Sequence, residues 1–292
     1  MTTATDAWER RGRRLTLAGH EVFVVDVDPV GPEQAEPLLV IHGFPTSSFD
    51  FHQVVDGLAA HRRVVLFDLV GFGLSAKPDV AYTVDLQADV AAALTADLGL
   101  GRLSLLTHDF GDTVGGELLA RHREGRWPVE VVARVLTNGS IYIDMAHLSD
   151  GQELLLALPD RRLDDGSAFT PASLGEALRG TFSPSAAVPD DEVLGAAELI
   201  RRHGGERLLP RTIRYIEERR RNERRFTGAI EEHPARLAVV WGADDPIAVL
   251  PMTDRLAAAR PGTPVTVLDG MGHYPMVEAP DRFLGAVMAG LD

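Results

Sequence analysis

Leu105-Leu106-Thr107-His108-Asp109-Phe110-Gly111 decides how this chain is read. Leu103–Leu106 has the short apolar run of a strand buried on both faces. Thr113–Arg123 has helical spacing, so the chain must turn sharply in between. Small residues flank the turn, Thr107 two positions before Asp109 and Gly111 two after. A tight strand–turn–helix junction needs them, because the two backbones come close. This is the shape of a nucleophile elbow, which holds one side chain out at the top of a sheet. The residue at the apex is Asp, where an esterase or lipase would carry Ser. Taken alone, Asp109 could equally be the N-cap of the helix that follows, so the rest of the chain has to decide.

Strands and helices alternate on either side of the elbow. Arg13–Leu17 and Glu21–Val27 read as a hairpin turned at Gly19-His20. Pro37–Ile41, Arg63–Leu69 and Val129–Leu136 read as further strands, Ser48–Ala60 and Val84–Leu98 as helices. The rhythm returns at the end with strand Leu237–Trp241, helix Met252–Ala259, strand Pro264–Leu268 and helix Pro280–Leu291. Such alternation calls for an α/β fold, a mostly parallel central sheet with helices on both faces. From 141 to 225 no strand is legible. Helical stretches at Leu148–Leu158, Pro171–Arg179, Asp190–Arg202 and Leu208–Arg225 read as a cap inserted after the sixth strand, over the C-terminal edge of the sheet. The organisation expected is core 1–140, cap 141–225, core 226–292. The mixed-sign run from Glu217 to Arg225 reads as a solvated helix face.

Composition narrows the function classes. The 292 residues carry 29 Lys+Arg and 43 Asp+Glu, a net charge of −14, which argues against a nucleic-acid or anionic-membrane partner. The absence of cysteine excludes disulfides, a thiolate nucleophile and Cys-ligated zinc. No apolar stretch has the length of a signal peptide or membrane span, so a cytoplasmic location is expected.

Three more strand ends complete the constellation. Leu39–Ile41 leads into His42-Gly43-Phe44-Pro45, where the backbone N–H of Phe44 would join that of Phe110 around a developing negative charge. Leu237–Trp241 leads into Gly242-Ala243-Asp244-Asp245-Pro246, a carboxylate at a strand end. Pro264–Leu268 leads into Gly270-Met271-Gly272-His273-Tyr274-Pro275, and His273 is the histidine of the ten that sits just after the last strand. The order along the chain is nucleophile, acid, histidine.

With these motifs the chain resembles the α/β-hydrolase superfamily over nearly its whole length, in the branch of epoxide hydrolases and haloalkane dehalogenases. His42-Gly43-Phe44-Pro45 is similar to the epoxide-hydrolase oxyanion motif, and His108-Asp109-Phe110-Gly111 to its nucleophile motif. Asp68-Leu69-Val70-Gly71-Phe72-Gly73-Leu74-Ser75 is similar to the loop after the superfamily's fourth strand. A closer likeness is to the mesoderm-specific transcript family and its bacterial members. It rests on 42–49, on His108-Asp109-Phe110-Gly111-Asp112 and on the basic helix after Tyr215. The resemblance implies a triad of Asp109, His273 and Asp245, since its pattern puts the acid immediately before the proline, and it implies no cofactor and no metal.

An aspartate nucleophile selects the chemistry. Attack on an ester carbonyl would give a high-energy mixed anhydride, whereas attack on an sp³ carbon gives an ordinary ester that water activated by His273 can hydrolyse. Epoxides and alkyl halides are the substrates expected, small, hydrophobic and electrophilic. Dehalogenases of this branch supply halide-binding N–H groups from a Trp beside the nucleophile, and here that position is Phe110; Trp8, Trp127 and Trp241 lie elsewhere. Epoxide hydrolases supply cap tyrosines as proton donors, for which Tyr215 and Tyr142 are the candidates, either of which could instead be a packing residue. Epoxide hydrolysis is the reading, with a dehalogenase or other hydrolase of the branch as the enzyme alternative. A ligand-binding relative without turnover is the non-enzyme one. Sequence leaves the oligomeric state open.

Overall fold

The computed structural model describes residues 2–32 and 35–292. Eight strands form one sheet: β1 (Arg13–Leu17), β2 (His20–Val27), β3 (Leu38–Ile41), β4 (Val64–Phe67), β5 (Arg102–His108), β6 (Glu130–Thr137), β7 (Arg236–Gly242) and β8 (Val265–Leu268). Their order is β1-β2-β4-β3-β5-β6-β7-β8. Only the pairings that involve β2 are antiparallel, and the other five are parallel. Every residue of β3 and β4 is buried, which requires helices against both faces. The hairpin turns one residue earlier than expected. Leu17 pairs with His20, and Ala18 (φ 47) and Gly19 (φ 81) supply the two positive-φ positions of a two-residue loop.

The helices that position the site start where side chains satisfy their first N–H groups. Thr83 caps Val84–Asp97, Ser149 makes a reciprocal capping box with Gln152 at the head of Asp150–Ala157, and Thr170 caps Pro171–Arg179. Two expectations change. Ser48–Ala60 is not one helix but a 3₁₀ turn, Ser48–Phe51, and a single α turn, Val55–Leu58. Contacts outside the segment set its path. Ser48 N–H donates to Asp68 at 2.9 Å, and a Cβ on Gly57 would lie 2.2 Å from a Leu284 methyl. The chain start also holds a helix, Thr3–Arg11, of which only Thr5 and Trp8 are buried, too few apolar positions to show as a pattern.

Between β6 and β7 the described chain holds helices and no strand. The helix that begins at Tyr215 runs to Glu232, kinking at Asn222 (φ −124, ψ 23). It therefore passes through the boundary expected at 225 and packs along the helix Phe110–Arg123. Among the described residues no helix is long and apolar enough to cross a membrane.

Candidate active site

β5 delivers Asp109 to the elbow, and the helix Phe110–Arg123 starts at the next residue. Asp109 has φ 49 and ψ −111, a strained backbone for a residue with a Cβ, costing on the order of 1–3 kcal/mol. Its side chain makes no capping bond to the helix, so the N-cap reading of Asp109 fails. Close approach explains the glycines around it. A Cβ on Gly111 would lie 2.2 Å from the Ile41 carbonyl oxygen, and one on Gly43 would lie 2.7 Å from the Asp109 Cβ.

The Asp109 carboxylate is buried. The Phe44 backbone N–H, just past the end of β3, donates to its Oδ2 at 2.8 Å. Phe110 is the first residue of the helix, so its N–H is one that the helix itself leaves without an internal partner. Both amides thus border the elbow, and Oδ2 occupies the position of an oxygen that is to bear negative charge.

His273 lies after β8 with its Nδ1 2.8 Å from Asp245 Oδ2. Asp245 is held on all sides: Oδ1 accepts from the Ile247 and Ala248 N–H groups at 2.8 and 3.0 Å, and Oδ2 accepts from Asn138 Nδ2 at 2.8 Å. Burial by itself would lower the His273 pKa, but the charges of Asp245 and Asp109 outweigh it and push the value up to about 9. Asp244 points elsewhere, accepting from Ser183 Oγ of the cap at 2.7 Å.

The tyrosines separate. Tyr215 is 1% exposed, its ring stacked on Phe110 with centroids 4.1 Å apart, and its hydroxyl feels the charge of the Asp109 carboxylate. Burial and then the Asp109 charge push its pKa well above the ordinary tyrosine value, and Arg219 opposes them. Tyr142 does not join this site. Its hydroxyl donates to Glu231 at 2.9 Å and its ring lies under the Arg255 guanidinium at 4.1 Å. The expectation of Tyr142 as a proton donor is therefore corrected: although buried, its hydroxyl is taken up by Glu231. Tyr274, next to His273, donates to the Phe44 carbonyl at 3.1 Å.

Beside Phe44 and His273 lies a cavity of about 320 Å³, walled largely by the helical stretch between β6 and β7, called the cap here. Its wall is mostly Leu, Ile, Phe and Ala from the cap, including Leu155, Phe169, Leu174, Leu178 and Leu209, and its floor is Phe44, His273 and Tyr274. No Asp, Glu, Lys or Arg lines it. Among the described residues no group of three or more His, Asp or Glu side chains is placed to hold a metal ion.

Two residues that sequence reasoning passed over secure this arrangement. Asn138, at φ 46 just after β6, accepts from Gly242 N–H through Oδ1 while its Nδ2 holds Asp245. An Asn followed by Gly at a strand end was the one available signal. Glu278 accepts from the N–H groups of Gly272, Tyr274 and the cap residue Ser183 at 2.7, 3.0 and 2.8 Å. With the bond from His273 N–H to the Thr181 carbonyl at 2.9 Å, it joins the cap to the histidine loop.

An elbow after β5, an acid after β7 and a histidine after β8 lie here in one contiguous site, and residues 38–286 match the alpha/beta hydrolase family as a whole. The chain belongs to that family. This alpha/beta hydrolase is 36% identical over 286 residues to a Mycobacterium tuberculosis protein that carries the name hydrolase LipZ, covering 97% of this chain and 96% of LipZ. It is 31% identical to the mesoderm-specific transcript protein of Mus musculus over 99% of this chain and 88% of that one. It is 26% identical to haloalkane dehalogenase 2 of Mycobacterium bovis, covering 86% of each. Among solved structures, the enol-lactonase from Burkholderia xenovorans LB400 superposes with a TM-score of 0.76 at 18% identity, over 96% of this hydrolase and 99% of that chain. At that identity the likeness speaks for the fold alone.

Proposed function

We propose that this hydrolase opens epoxides to vicinal diols through a covalent ester on Asp109. One observation carries the reading: the elbow residue is a carboxylate whose Oδ2 rests on the Phe44 amide while the ring of a buried tyrosine, Tyr215, stacks on the neighbouring Phe110. In the first step an Asp109 oxygen pair attacks an epoxide carbon. The C–O bond breaks toward the ring oxygen, which takes the Tyr215 proton. In the second, His273 takes a proton from water as the hydroxyl oxygen adds to the ester carbon, and the oxyanion forms against the Phe44 and Phe110 amides. Collapse releases the alcohol with the His273 proton. The proton left on the Asp109 carboxyl returns to the Tyr215 oxygen, so one water is consumed and every group is restored. Asp245 fixes the His273 tautomer and stabilises its charged form.

The cavity favours a largely apolar substrate, since Leu, Ile, Phe and Ala make up most of its wall. The dehalogenase reading draws on relatives of that name, but a leaving halide needs N–H donors. All three indoles are committed elsewhere: Trp8 to Ser48 Oγ, Trp127 to Thr95 Oγ1 and Trp241 to the Ala248 carbonyl.

The test is intact mass spectrometry of His273→Gln with a panel of epoxides, haloalkanes and p-nitrophenyl esters. Accumulation of protein plus one epoxide, mapped to the peptide containing Asp109, is expected. An adduct that has lost halide from a haloalkane would support dehalogenation instead, and no adduct with any alkyl electrophile would end the covalent reading.

A further inference from the structure

We propose that Arg219 is a positioning residue for the proton donor, a fixed buried cation held against the Tyr215 ring that stabilises the negative charge the tyrosine takes on as it gives up its proton. The inference rests on the epoxide reading above and adds to it a residue outside the triad, the oxyanion amides and the tyrosine.

Arg219 lies one turn after Tyr215 on the same helix, is 4% exposed, and places its guanidinium carbon 5.0 Å from the Tyr215 ring centroid. Two anchors fix it to the core. Nε donates to Thr113 Oγ1 at 2.9 Å, and Nη1 donates to the Ser140 carbonyl at 2.8 Å. Nη2 is buried without a hydrogen-bond partner among the described residues, and the guanidinium makes no ion pair among them. A buried guanidinium stays charged, because it cannot give up its proton under ordinary conditions. Such a charge is costly unless a carboxylate answers it.

Two carboxyl groups are near. Asp112 is fully buried, accepts from Thr107, and is pushed well above the ordinary carboxylate range by that burial. Its Oδ2 has no hydrogen-bond partner among the described residues, and no ion pair joins it to Arg219. Asp109 is the other, its charge acting on the Tyr215 hydroxyl. The groups facing the Tyr215 hydroxyl and ring are thus Asp109 from the elbow, Phe110 from the helix it heads, Phe44 from the β3 loop, Tyr274 from the histidine loop and Arg219 from its own helix. Of these Arg219 alone is positive.

Charge conservation gives this placement a role. Before attack the negative charge is on Asp109. Once the Asp109 oxygen has bonded to carbon, the ester is neutral and the charge sits on the epoxide oxygen, or on the Tyr215 oxygen after its proton has moved. Nothing enters or leaves, so a stationary cation against the Tyr215 ring favours the ion once the charge reaches that side and eases loss of the tyrosine proton despite burial.

The test is a double-mutant cycle on single-turnover alkylation, each rate followed by intact mass in the His273→Gln background. Arg219→Gln should slow alkylation by at least about 10-fold near pH 7, the scale of one removed charge interaction. Arg219→Lys should recover most of the rate. In Tyr215→Phe, the further loss from Arg219→Gln should shrink to about 3-fold or less, since non-additivity marks residues that act as a unit. Full additivity with Tyr215→Phe overturns the role of Arg219. If Tyr215→Phe alone alkylates at the wild-type rate, it is the assignment of the proton donor that has failed. Should Arg219→Gln not fold, the cycle is run with Arg219→Lys, whose shorter reach should give a smaller loss that again vanishes in Tyr215→Phe; an equal loss in both backgrounds sinks the proposal.

Discussion

Asn138 donates to the same Asp245 oxygen that His273 contacts, both at 2.8 Å. The carboxylate is thereby held in one rotamer with its Oδ2 aimed at the imidazole, and Asn138 also fixes the start of the acid loop through Gly242 N–H. We predict that Asn138→Ala lowers kcat about 10-fold with little change in KM, because a triad held slightly out of line loses rate before it loses binding. Steady-state kinetics on the best epoxide of the panel decide it. A change confined to KM would mean that Asn138 serves the cavity rather than the triad.

Asp109→Asn keeps the shape of the elbow and an acceptor for the Phe44 amide but removes the nucleophilic charge. Turnover should fall by at least ~10³-fold, within the range seen when a nucleophile is removed, while the thermal melt stays close to that of wild type. Retention of a few per cent of activity in freshly purified protein would remove Asp109 from the mechanism.

The pH behaviour of His273 has a definite sign. Its value of about 9 in the free protein is sustained by Asp245 and Asp109 against burial. Alkylation makes Asp109 neutral and withdraws one of those supports, so the imidazole gives up its proton more readily in the alkyl-enzyme, where it must act as a base. Hydrolysis of the preformed ester should therefore rise with pH along a limb whose midpoint lies below 9, and Asp245→Asn should move the midpoint lower still. A midpoint above 9 contradicts the argument.

The same shift links to stability. A folded-state value raised above the ordinary 6.5 adds stability that is complete below about pH 6.5 and disappears as pH rises through about 9. Urea midpoints of wild type and His273→Gln should differ most at pH 6 and converge toward pH 9. Parallel curves across that window would show that His273 is neutral in the folded protein.

Packing at the elbow leads to the last prediction. Gly111→Ala puts a methyl 2.2 Å from the Ile41 carbonyl oxygen, backbone that cannot yield cheaply, and should cost about 3 kcal/mol or more, the upper range for overpacking. Gly285→Ala, in a helix with nothing within 4 Å of the new carbon, should instead stabilise by about 0.5–1 kcal/mol. Denaturant midpoints for the pair check both, and a neutral Gly111→Ala would mean that β3 and the elbow helix are less tightly apposed.

The parts of this molecule legible in its sequence are those whose cause is local. Strands such as Leu38–Ile41 and Val64–Phe67 announce themselves because a strand covered on both faces must be apolar throughout. Thr170-Pro171 and Ser149 mark helix starts because a cap needs its oxygen within three residues of the N–H groups it serves. His273 and Asp245 were legible because each closes a strand. Where the deciding partner is far along the chain the signal vanishes. Ser48–Ala60 has helical spacing, yet Asp68 and Leu284 bend it. Tyr142 and Tyr215 look alike in sequence, and only Glu231 and Arg255 on one side, and Phe110 and Asp109 on the other, separate them. Glu278 works through three N–H groups that a linear reading cannot bring together.

The seam at Thr181 and Ser183 bears on how such hydrolases can be re-engineered. A cap that touched only substrate could be exchanged between relatives as a module, its apolar lining replaced to suit another substrate. Here the cap backbone accepts from His273 N–H and shares Glu278 with the histidine loop, and the Ser183 hydroxyl donates to Asp244 beside the acid. A graft that imports a foreign 181–183 would carry over the new pocket and detune the base beneath it. Transplants should therefore splice on the far side of Ser183, leaving that short stretch with its native histidine loop.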